Sequence, residues 1–348
     1  MKRCLTALLT IAMILSLAAC GGGAATSEKT DEKAPTEEKN ETVYTVSIGH
    51  GAAEDTAQQA ACLAVKEYLE KESSGRFKVE IYPNNQIGSN REMTEALIDG
   101  SLVMAQASSG TQASFVPDAS IFDVPFAWTN EDEIKASIYD KDLLAALDAS
   151  HKAAGMKLLS LTENQFRQLS TKDKEIHTPD DCKGLVIRTQ ENSFQMQTWS
   201  LLGANPTPLA FNELYTALQQ GTVEAQDNPL ELFVSQKFYE QQKYFIKINY
   251  LGHVYFWYCN LDWYNALPDD LREMFDYATS TVLVEAYEKF ADEDNANKLQ
   301  VVEDNGVQVI ELTDEEKAAF KEKVAPVWDD IEAVTSDEVW TAFTNTLK

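Results

Sequence analysis

The sequence predicts an α/β protein of two lobes, with one long helix lying across both. Strand-like and helix-like segments alternate from residue 43 to about residue 107, an order typical of a parallel sheet covered on both faces. A second alternating set begins near residue 156. Apolar residues then recur at helical spacing from Leu271 to Phe290, and a helix continuing to about Asn305 would span about 50 Å, which exceeds one small lobe.

The first set consists of three short strands with helices between them. Alternation of apolar and polar residues predicts strands at 43–48, 77–82 and 101–107. Helices are expected up to Ser73 and around Met93, and a further helix of about twenty residues is expected after Trp128.

The second set alternates in the same way and leads into the long helix. Strands are predicted at 156–161, 185–188 and 222–226, and helices at 192–202 and 213–220. Gly203 can end the first of these helices in a left-handed conformation, and Gly221 stops the second. The aromatic run 253–258 is predicted to be a strand. Two helices, around 313–333 and 337–346, close the chain.

The charge balance excludes several classes of protein. The 348 residues carry 29 Lys and Arg against 56 Asp and Glu, and the formal net charge of −27 repels nucleic acids and anionic membranes. Hydrophobic residues make up 44% of the chain, which fits a globular protein and neither a fibrous nor a multi-span membrane protein.

The first 42 residues are predicted to export and anchor the protein. Residues 1–19 combine two cations with an apolar run and are typical of a signal peptide. The run ends in the lipobox-like Leu17-Ala18-Ala19-Cys20, so cleavage before Cys20 and acylation of its thiol are expected. The lipid would hold the chain on the extracytoplasmic face of the cell membrane, as would the alternative of an uncleaved anchor. Residues 20–42 would form a flexible tether.

No pattern in the body indicates catalysis, a cofactor or a metal site. The nucleophile elbow, the zinc-protease helix, the phosphate-binding loop and the dinucleotide fingerprint do not occur in the sequence. Cys62, Cys182 and Cys259 lack zinc-ligand spacing and are expected to be buried free thiols. A binding protein is therefore favoured over an enzyme, although a carboxylate pair among so many acids would not stand out.

Two arginines stand out in a chain whose cations are mostly lysine. Arg167 lies in the run 165–169 and Arg188 in the run 185–189, and each run is predicted to be part of a strand. A guanidinium is a planar fork that matches a carboxylate and keeps its charge when buried. They indicate a site for an anion, and internal ion pairs with the protein's own acids are an equally good interpretation. Asn228 precedes Pro229 at the end of a predicted strand, where open α/β sheets bind ligands.

Seven short motifs occur in order along the body: 75–79, 86–88, 115–117, 122–126, 183–188, 203–209 and 227–230. Together they resemble the signature of DctP-type solute-binding proteins, which serve tripartite ATP-independent periplasmic (TRAP) transporters. The resemblance covers nearly everything from Val43 to the C terminus. The chain departs from the family at Glu224-Ala225, where Asp-Gly is usual, and at Asp227, which replaces a common glutamate, so the local sheet edge is expected to differ.

The resemblance implies a periplasmic-binding-protein-like fold that closes on a small carboxylate such as a C4-dicarboxylate or a sugar acid. The implied lobes are residues 43–164 with 254–293 and residues 165–253 with 294–348. The implied partners are the organic acid, the small and large TRAP permease subunits and the membrane through the lipid anchor, with no nucleic acid. A receptor for an ATP-driven importer or a sensor, or less favourably a secreted hydrolase, is the alternative.

The resemblance also implies roles for particular residues. Arg188 would pair with the ligand carboxylate, with Arg167 as the second cation of the site. Phe211 would pack on the carbon skeleton, and Asn228 would donate from its amide. Weaker candidates come from the other lobe: His50, Glu54 and Ser108. Ordinary core packing is the alternative for Phe211, and a solvated loop is the alternative for the first two of these weaker candidates.

Overall fold

The computed structural model describes residues 42–348, with only the backbone of 294–296. The predicted signal peptide at 1–19, the lipidation site Cys20 and nearly all of the tether at 20–42 lie outside the described residues. Within the described part of the chain, no helix has both the length and the apolar character needed to cross a membrane.

One nine-stranded sheet runs through residues 42–348. Its strands are β1 (Tyr44–Gly49), β2 (Phe77–Tyr82), β3 (Met104–Ser108), β4 (Met156–Thr171), β5 (Val186–Thr189), β6 (Asn205–Pro208), β7 (Ala225–Asn228), β8 (Tyr244–Asn260) and β9 (Gln308–Glu311). The order is β2-β1-β3-β8-β4-β7-β5-β6, with β9 beside β8. We call β2-β1-β3 the first half of the sheet and β7-β5-β6 the second half.

Helices cover the sheet. The α-helices of the described residues are α1 (Ala57–Glu72), α2 (Asn90–Ile98), α3 (Ser109–Gln112), α4 (Glu131–Ile138), α5 (Lys141–Ala153), α6 (Ser193–Leu201), α7 (Leu214–Gln220), α8 (Leu230–Ser235), α9 (Leu261–Asn265), α10 (Asp269–Tyr277), α11 (Leu283–Asp304), α12 (Asp314–Val324), α13 (Pro326–Glu332) and α14 (Asp337–Thr346). Short 3-10 helices lie at Pro117–Asp123, Pro179–Cys182, Phe211–Glu213 and Phe238–Glu240.

The parallel sheet predicted for the first set is confirmed, but the sheet as a whole is mixed, because two long strands join the halves. Pairs within each half are parallel, but β8 runs antiparallel to β3 and β4, and β4 runs antiparallel to β7. The chain passes from the first half to the second in β4 and returns in β8, so these strands must point in opposite directions. The predicted strands at 156–161 and 253–258 are thus only parts of strands of 16 and 17 residues.

Alternation along the strands sends neighbouring side chains to opposite faces of the sheet. On β8, Phe256 and Tyr258 join one hydrophobic core, and Tyr255 and Trp257 join another. This period of two is the pattern by which the strands are recognisable in the sequence. Aromatic side chains fill both faces, and residues 250–260 of this strand are all buried.

The long helix packs on both halves, as predicted. Residues from Asp269 to Asp304 form α10, a π-helical segment at Ala278–Val282 and α11 without interruption. Leu283 and Tyr287 belong to the core beneath the first half, and Val302 belongs to the core beneath the second half. The helix therefore spans two lobes, which is the fold that the apolar spacing indicates.

Other predictions differ from the structure in extent. The single helix expected after Trp128 is two helices, because Asp140 caps a new one by accepting hydrogen bonds from the amides of Asp142 and Leu143. The helix expected at 313–333 divides before Pro326, and β6 and β9 are not predicted at all. The glycines behave as expected, since Gly221 ends α7 with a φ of 69°. The three cysteines of the described chain are buried and free, as predicted.

Candidate functional site

Arg167 lies on β4 with its buried guanidinium occupied by protein partners. Its Nε donates to Oδ2 of Asp227, and its Nη2 donates to the Asp227 carbonyl oxygen. Its Nη1 lies 2.8 Å from Nδ1 of His253. Burial by itself lowers the pKa of Arg167, but Asp227 and the Tyr250 hydroxyl raise it above its ordinary value. Of the two interpretations open for Arg167, the internal ion pair is therefore the one observed.

Asp227 is the acid that neutralises Arg167, and it lies on the neighbouring strand β7. Its Oδ2 also accepts a hydrogen bond of 2.6 Å from the Tyr250 hydroxyl. Nε1 of Trp199 lies 3.4 Å from the same hydroxyl oxygen. The position noted in the sequence only as a departure from the family is thus the centre of a buried polar network.

Arg188 lies on β5, on the far side of β7 from Arg167, and its environment is different. Its Nε and Nη2 donate to the Leu209 carbonyl oxygen at 3.1 and 2.8 Å. Its Nη1 is buried without a hydrogen-bond partner among the described residues, and none of their carboxylates forms an ion pair with it. Burial and the charge of Arg167 lower the pKa of Arg188 to about 10, so it stays cationic at neutral pH.

A narrow cleft lies between the two halves of the sheet near these arginines. Its described lining consists of Gly51, Ala52, Asn90, Gln106, Gln190, Phe211, Asn228, Leu232, His253 and Tyr255. Arg188 is not a lining residue, but Leu209, which it contacts, is two positions before Phe211. The guanidinium therefore contacts the segment that forms the wall contributed by the second half.

Asn228 and Phe211 both line the cleft. Asn228 is the last residue of β7 and lines the cleft, and its Nδ2 donates to Oε1 of Gln226 at 2.6 Å. Phe211 is half-buried and also lines the cleft, while its ring meets that of Phe238 edge-on at 6.2 Å. Phe211 thus both packs against Phe238 and faces the cleft.

His50 and Glu54 follow β1, and neither belongs to the described lining. His50 is fully buried, and its Nε2 lies 2.9 Å from Oε1 of Gln59. Burial lowers the pKa of His50, so the ring is neutral at physiological pH. Its neighbours Gly51 and Ala52 do line the cleft. Glu54 is exposed, which agrees with the alternative interpretation that it lies in a solvated loop.

Ser108 takes part in a set of hydrogen bonds across the cleft. It ends β3 and accepts a bond of 2.6 Å from Nε2 of Gln190, which follows β5. Nearby, Asp123 accepts from Nδ2 of Asn192 at 2.8 Å and from Nε2 of Gln195 at 2.9 Å. Because these bonds join the segments after β3 to those after β5, the two halves are held together over the cleft.

Asp123 is a buried acid in this set of hydrogen bonds, and its environment raises its pKa. Burial raises the pKa of Asp123 to about 6, against the hydrogen bonds from Gln195 and Asn192, which lower it. The sequence places Asp123 within one of the family motifs, but nothing in that motif identifies it as a contact between the halves. Its role depends on residues about 70 positions away, as the separations of 69 and 72 residues record.

The site lacks features of a metal centre. Across residues 42–348, no three His, Cys, Asp or Glu side chains are grouped so as to hold a metal ion. The polar groups around the cleft are instead amides, a histidine, a tyrosine and the two arginines. Such groups suit recognition of a small polar molecule through hydrogen bonds and charge.

The sequence as a whole matches a family of known proteins. A profile of the family described as bacterial extracellular solute-binding protein, family 7, matches residues 48–334. The chain belongs to this family. The family 7 protein is 33% identical over 290 residues to a solute-binding protein of Verminephrobacter eiseniae, which covers 81% of this chain and 83% of that one. Over 301 residues it is 31% identical to the C4-dicarboxylate-binding periplasmic protein DctP of Rhodobacter capsulatus, covering 82% and 86% of the two chains.

Solved structures agree with this membership. The family 7 protein superposes on the crystal structure of a TRAP periplasmic solute-binding protein from Polaromonas sp. JS666, bound to D-erythronate, with a TM-score of 0.81 and 27% identity. The match covers 87% of this chain and 98% of that one. The protein is therefore a TRAP solute-binding protein with the two-lobed α/β fold of that class, and its named relatives are binding proteins.

Proposed function

We propose that this protein is an extracytoplasmic receptor that captures a small organic acid between its lobes and delivers it to a TRAP permease. The observation that carries the proposal is the state of Arg188, a buried cation without a carboxylate partner among residues 42–348. Burying a charge without a counter-ion costs several kcal/mol. A ligand carboxylate is the missing counter-ion, and the unpartnered Nη1 is the group that would donate to it.

The other residues of the second half have supporting roles in this proposal. Arg167 is the second cation. Its guanidinium nitrogens already have partners in the protein, so it acts through its charge and through its contact with His253 and does not bind the ligand directly. Phe211 provides an aromatic face for the carbon skeleton of the ligand, and Asn228 provides an amide. These roles are supported by the lining of the cleft, to which both Phe211 and Asn228 belong.

The candidates of the first half act indirectly in this proposal. Ser108 holds the lining residue Gln190 by accepting its hydrogen bond. His50 supports the loop whose next two residues line the cleft. Glu54 is exposed and would contact solvent.

The ligand class is supported by two relatives. The Rhodobacter protein is named for C4-dicarboxylates, and the Polaromonas protein was crystallised with D-erythronate. Both kinds of molecule are small carboxylic acids. A carboxylate is also the group that an unpaired guanidinium near this cleft can accept.

Closure of the lobes has to contribute to the affinity. A charge-assisted hydrogen bond contributes roughly 1.5 to 3 kcal/mol, whereas a micromolar dissociation constant needs about 8 kcal/mol. One ion pair is therefore insufficient. When the lobes close, water leaves the cleft, electrostatic interactions strengthen, and the closed form becomes the species that permease subunits can recognise.

The lobes that would move are residues 43–164 with 254–293 and residues 165–253 with 294–348. The pairing of β4 with β8 shifts register between Glu163 and Phe166, and Gln165 has a positive φ of 56°. A bulge bends a strand and interrupts its ladder. This irregularity is where we propose that the sheet bends during closure.

The lipid anchor and the permease are the proposed partners at the membrane. Acylation of Cys20 would attach the receptor to the extracytoplasmic face of the cell membrane, and the tether would let the lobes reach the permease. The support is the lipobox-like end of the signal sequence. Labelling with a radioactive fatty acid tests the anchor, and a Cys20→Ala variant that is still labelled would overturn it.

The central test is a search for the ligand. A thermal-shift screen against a library of small organic acids should give at least one acid that raises the melting temperature, because a ligand of the native state stabilises it. The acid should be recovered with unchanged mass after incubation, whereas a hydrolase would convert it. A library in which no acid shifts the transition would overturn the proposal.

The alternative of an importer or sensor receptor is tested separately. Purified small and large TRAP permease subunits in liposomes should take up the acid only when the receptor is added. If uptake instead requires an ATP-hydrolysing subunit, the receptor serves a different transporter.

A further inference from the structure

His253 presents a hydrogen-bond donor to the cleft because Arg167 determines its tautomer. An arginine nitrogen always carries hydrogen, so Arg167 Nη1 donates across the 2.8 Å to Nδ1 of His253. The Nδ1 atom must then be the unprotonated nitrogen, and the hydrogen of the neutral ring lies on Nε2. Burial, followed by the charges of Arg167 and Arg188, lowers the pKa of His253 well below its ordinary value, so the ring is neutral.

The Nε2 hydrogen of His253 has no partner within the described chain. The atom is buried, and the ring lines the cleft. Tyr255 packs edge-on against the ring with centroids 4.6 Å apart, which helps to fix its orientation. A buried donor left without an acceptor is unfavourable, so the cleft is built for a ligand oxygen at this position.

Gln106 offers a second unused donor from the other half of the sheet. It lies in the middle of β3 with 3% of its surface exposed and lines the cleft. Its Nε2 is buried and finds no acceptor among residues 42–348. The neighbouring lining residue Gln190 differs, since its Nε2 donates to Ser108 and its Oε1 accepts from Gln195.

The charges around the cleft suit one negative charge on the ligand. None of the described lining residues is a lysine, arginine, aspartate or glutamate. Outside this lining, Asp227 neutralises Arg167, which leaves Arg188 to compensate the ligand. Arg91, beside the lining residue Asn90, is half-buried; its guanidinium lies over the ring of Phe115 and faces Glu95 and Glu191 at 3.9 and 4.0 Å.

We propose that the ligand is a hydroxylated monocarboxylic acid and not a dicarboxylic acid. This inference rests on the proposed function and narrows its ligand class. The single carboxylate binds near Arg188, and neutral oxygens of the hydroxylated part accept hydrogen bonds from His253 Nε2 and Gln106 Nε2. A second carboxylate would be buried against neutral amides without a cation, and an unpaired buried charge is strongly disfavoured.

The test compares acids that differ separately in charge and hydroxylation. Calorimetry is run with the full chain and a four-carbon series: butyrate, succinate, erythronate and tartrate. A six-carbon series follows the same plan: hexanoate, adipate, gluconate and glucarate. In the series that fits the cleft, the hydroxylated monocarboxylate should bind at least about tenfold more tightly than each of the other three acids. A tenfold difference is what the loss of one hydrogen bond, or the burial of one unpaired charge, is expected to cause.

Variants identify the residues responsible. Gln106→Met should weaken the hydroxylated monocarboxylate about tenfold and leave the unsubstituted monocarboxylate unchanged, and His253→Phe should do the same. Gln106→Lys should shift the preference towards the dicarboxylates, because it adds the missing cation. Gln300→Met, at an exposed position of α11, is the matched control and should change nothing. Nitrogen-15 NMR of labelled histidine should show hydrogen on Nε2 of His253 and none on Nδ1.

The outcomes separate this inference from the proposed function. If a dicarboxylate binds as tightly as the hydroxylated monocarboxylate, or if none of these acids binds, the narrower ligand class is wrong. The proposed function survives either result as long as the library yields an acid whose binding depends on Arg188. If Gln106→Met and His253→Phe both leave the affinities unchanged, the assigned donors are wrong, and a His253→Phe variant that fails to fold leaves Gln106→Met to decide.

Discussion

Asp227 forms a buried ion pair with Arg167 on one side of β7 and leaves Arg188, on the other side, without a carboxylate. The two arginines look equivalent in the sequence, but in the structure one guanidinium has an ion-pair partner and the other has none among the described residues. Arg167 completes an internal network, whereas Arg188 has no ion-pair partner among residues 42–348 and is the cation that we propose binds an external anion. The predictions below follow from this asymmetry and from the contacts that close the cleft.

Replacing Arg188 should separate binding from folding. Arg188→Ala should weaken binding of the acid by at least about tenfold, because it removes the counter-ion. The melting temperature of the ligand-free protein should be retained or raised, because the variant also removes an unpaired buried charge. Calorimetry and thermal unfolding measure the two effects.

Arg188→Lys should also weaken binding, because a point charge cannot reproduce the planar fork that holds both Leu209 and a ligand. Arg272→Ala, at a half-buried arginine of α10 paired with Asp269, serves as the control and should leave the affinity unchanged. Equal affinities of Arg188→Ala and the unmodified protein would contradict the assignment of Arg188.

Breaking the internal ion pair should destabilise the fold. Asp227→Asn leaves the guanidinium of Arg167 buried without a charge partner, and breaking such a pair costs about 3 to 5 kcal/mol. Arg167→Met together with Asp227→Asn should recover part of the loss, because no charge then stays unpaired. Urea unfolding of the single and double variants gives the coupling energy, and additive losses would show that the pair is not coupled.

A methyl group at Gly110 should hold the cleft open. A Cβ there would overlap the end of Gln190 and lie 2.7 Å from Nε2 of Gln195, and both side chains belong to the hydrogen bonds across the cleft. Gly110→Ala should therefore weaken ligand binding about tenfold while the fold survives. Small-angle scattering should give a larger radius of gyration with ligand present, and an unchanged radius and affinity would refute this role.

Asp123 should make stability depend on pH between about 4 and 6. Burial raises its pKa from 3.8 to about 6, so the folded state binds the proton more tightly than the unfolded state. The stability linked to this proton is complete below pH 3.8 and is lost as the pH rises through 6. The loss amounts to roughly 3 kcal/mol in unfolding free energy.

Asp123→Asn should remove that loss. Relative to the unmodified protein, the variant should gain roughly 3 kcal/mol between pH 4 and pH 7, in addition to a constant offset from its altered hydrogen bonds. Taking the difference between the two proteins cancels the titration of all other acids. Parallel curves of unfolding free energy against pH would show that Asp123 is not the titrating group.

Much of the fold follows from short-range patterns. The alternation at β1 and β2, the apolar spacing of α10 and α11, and the left-handed Gly221 are each visible within a few residues of sequence. The antiparallel course of β4 and β8 is not visible in this way, because strand direction depends on which strands become neighbours. The motifs also indicated the family. Two residues that they singled out, Asn228 and Phe211, line the cleft.

The sequence could not predict which side chains pair with each arginine, since this pairing depends on long-range geometry. Arg167 and Asp227 are 60 residues apart, and Arg167 and His253 are 86 apart, so no local pattern links them. The sequence left an anion site and an internal ion pair equally open for both arginines. The fold shows an internal ion pair for Arg167 and none for Arg188 among the described residues.

The sequence by itself determined that this chain has the elements, the motifs and the isolated arginines of a two-lobed receptor. These properties come from local stereochemistry and from residue chemistry, which each segment carries wherever it lies. The tertiary structure decided which cation is neutralised, which nitrogen of His253 bears hydrogen and which donors face the cleft. Electrostatic energies depend on distance and burial, and both are defined only when β4, β5, β7 and β8 lie side by side.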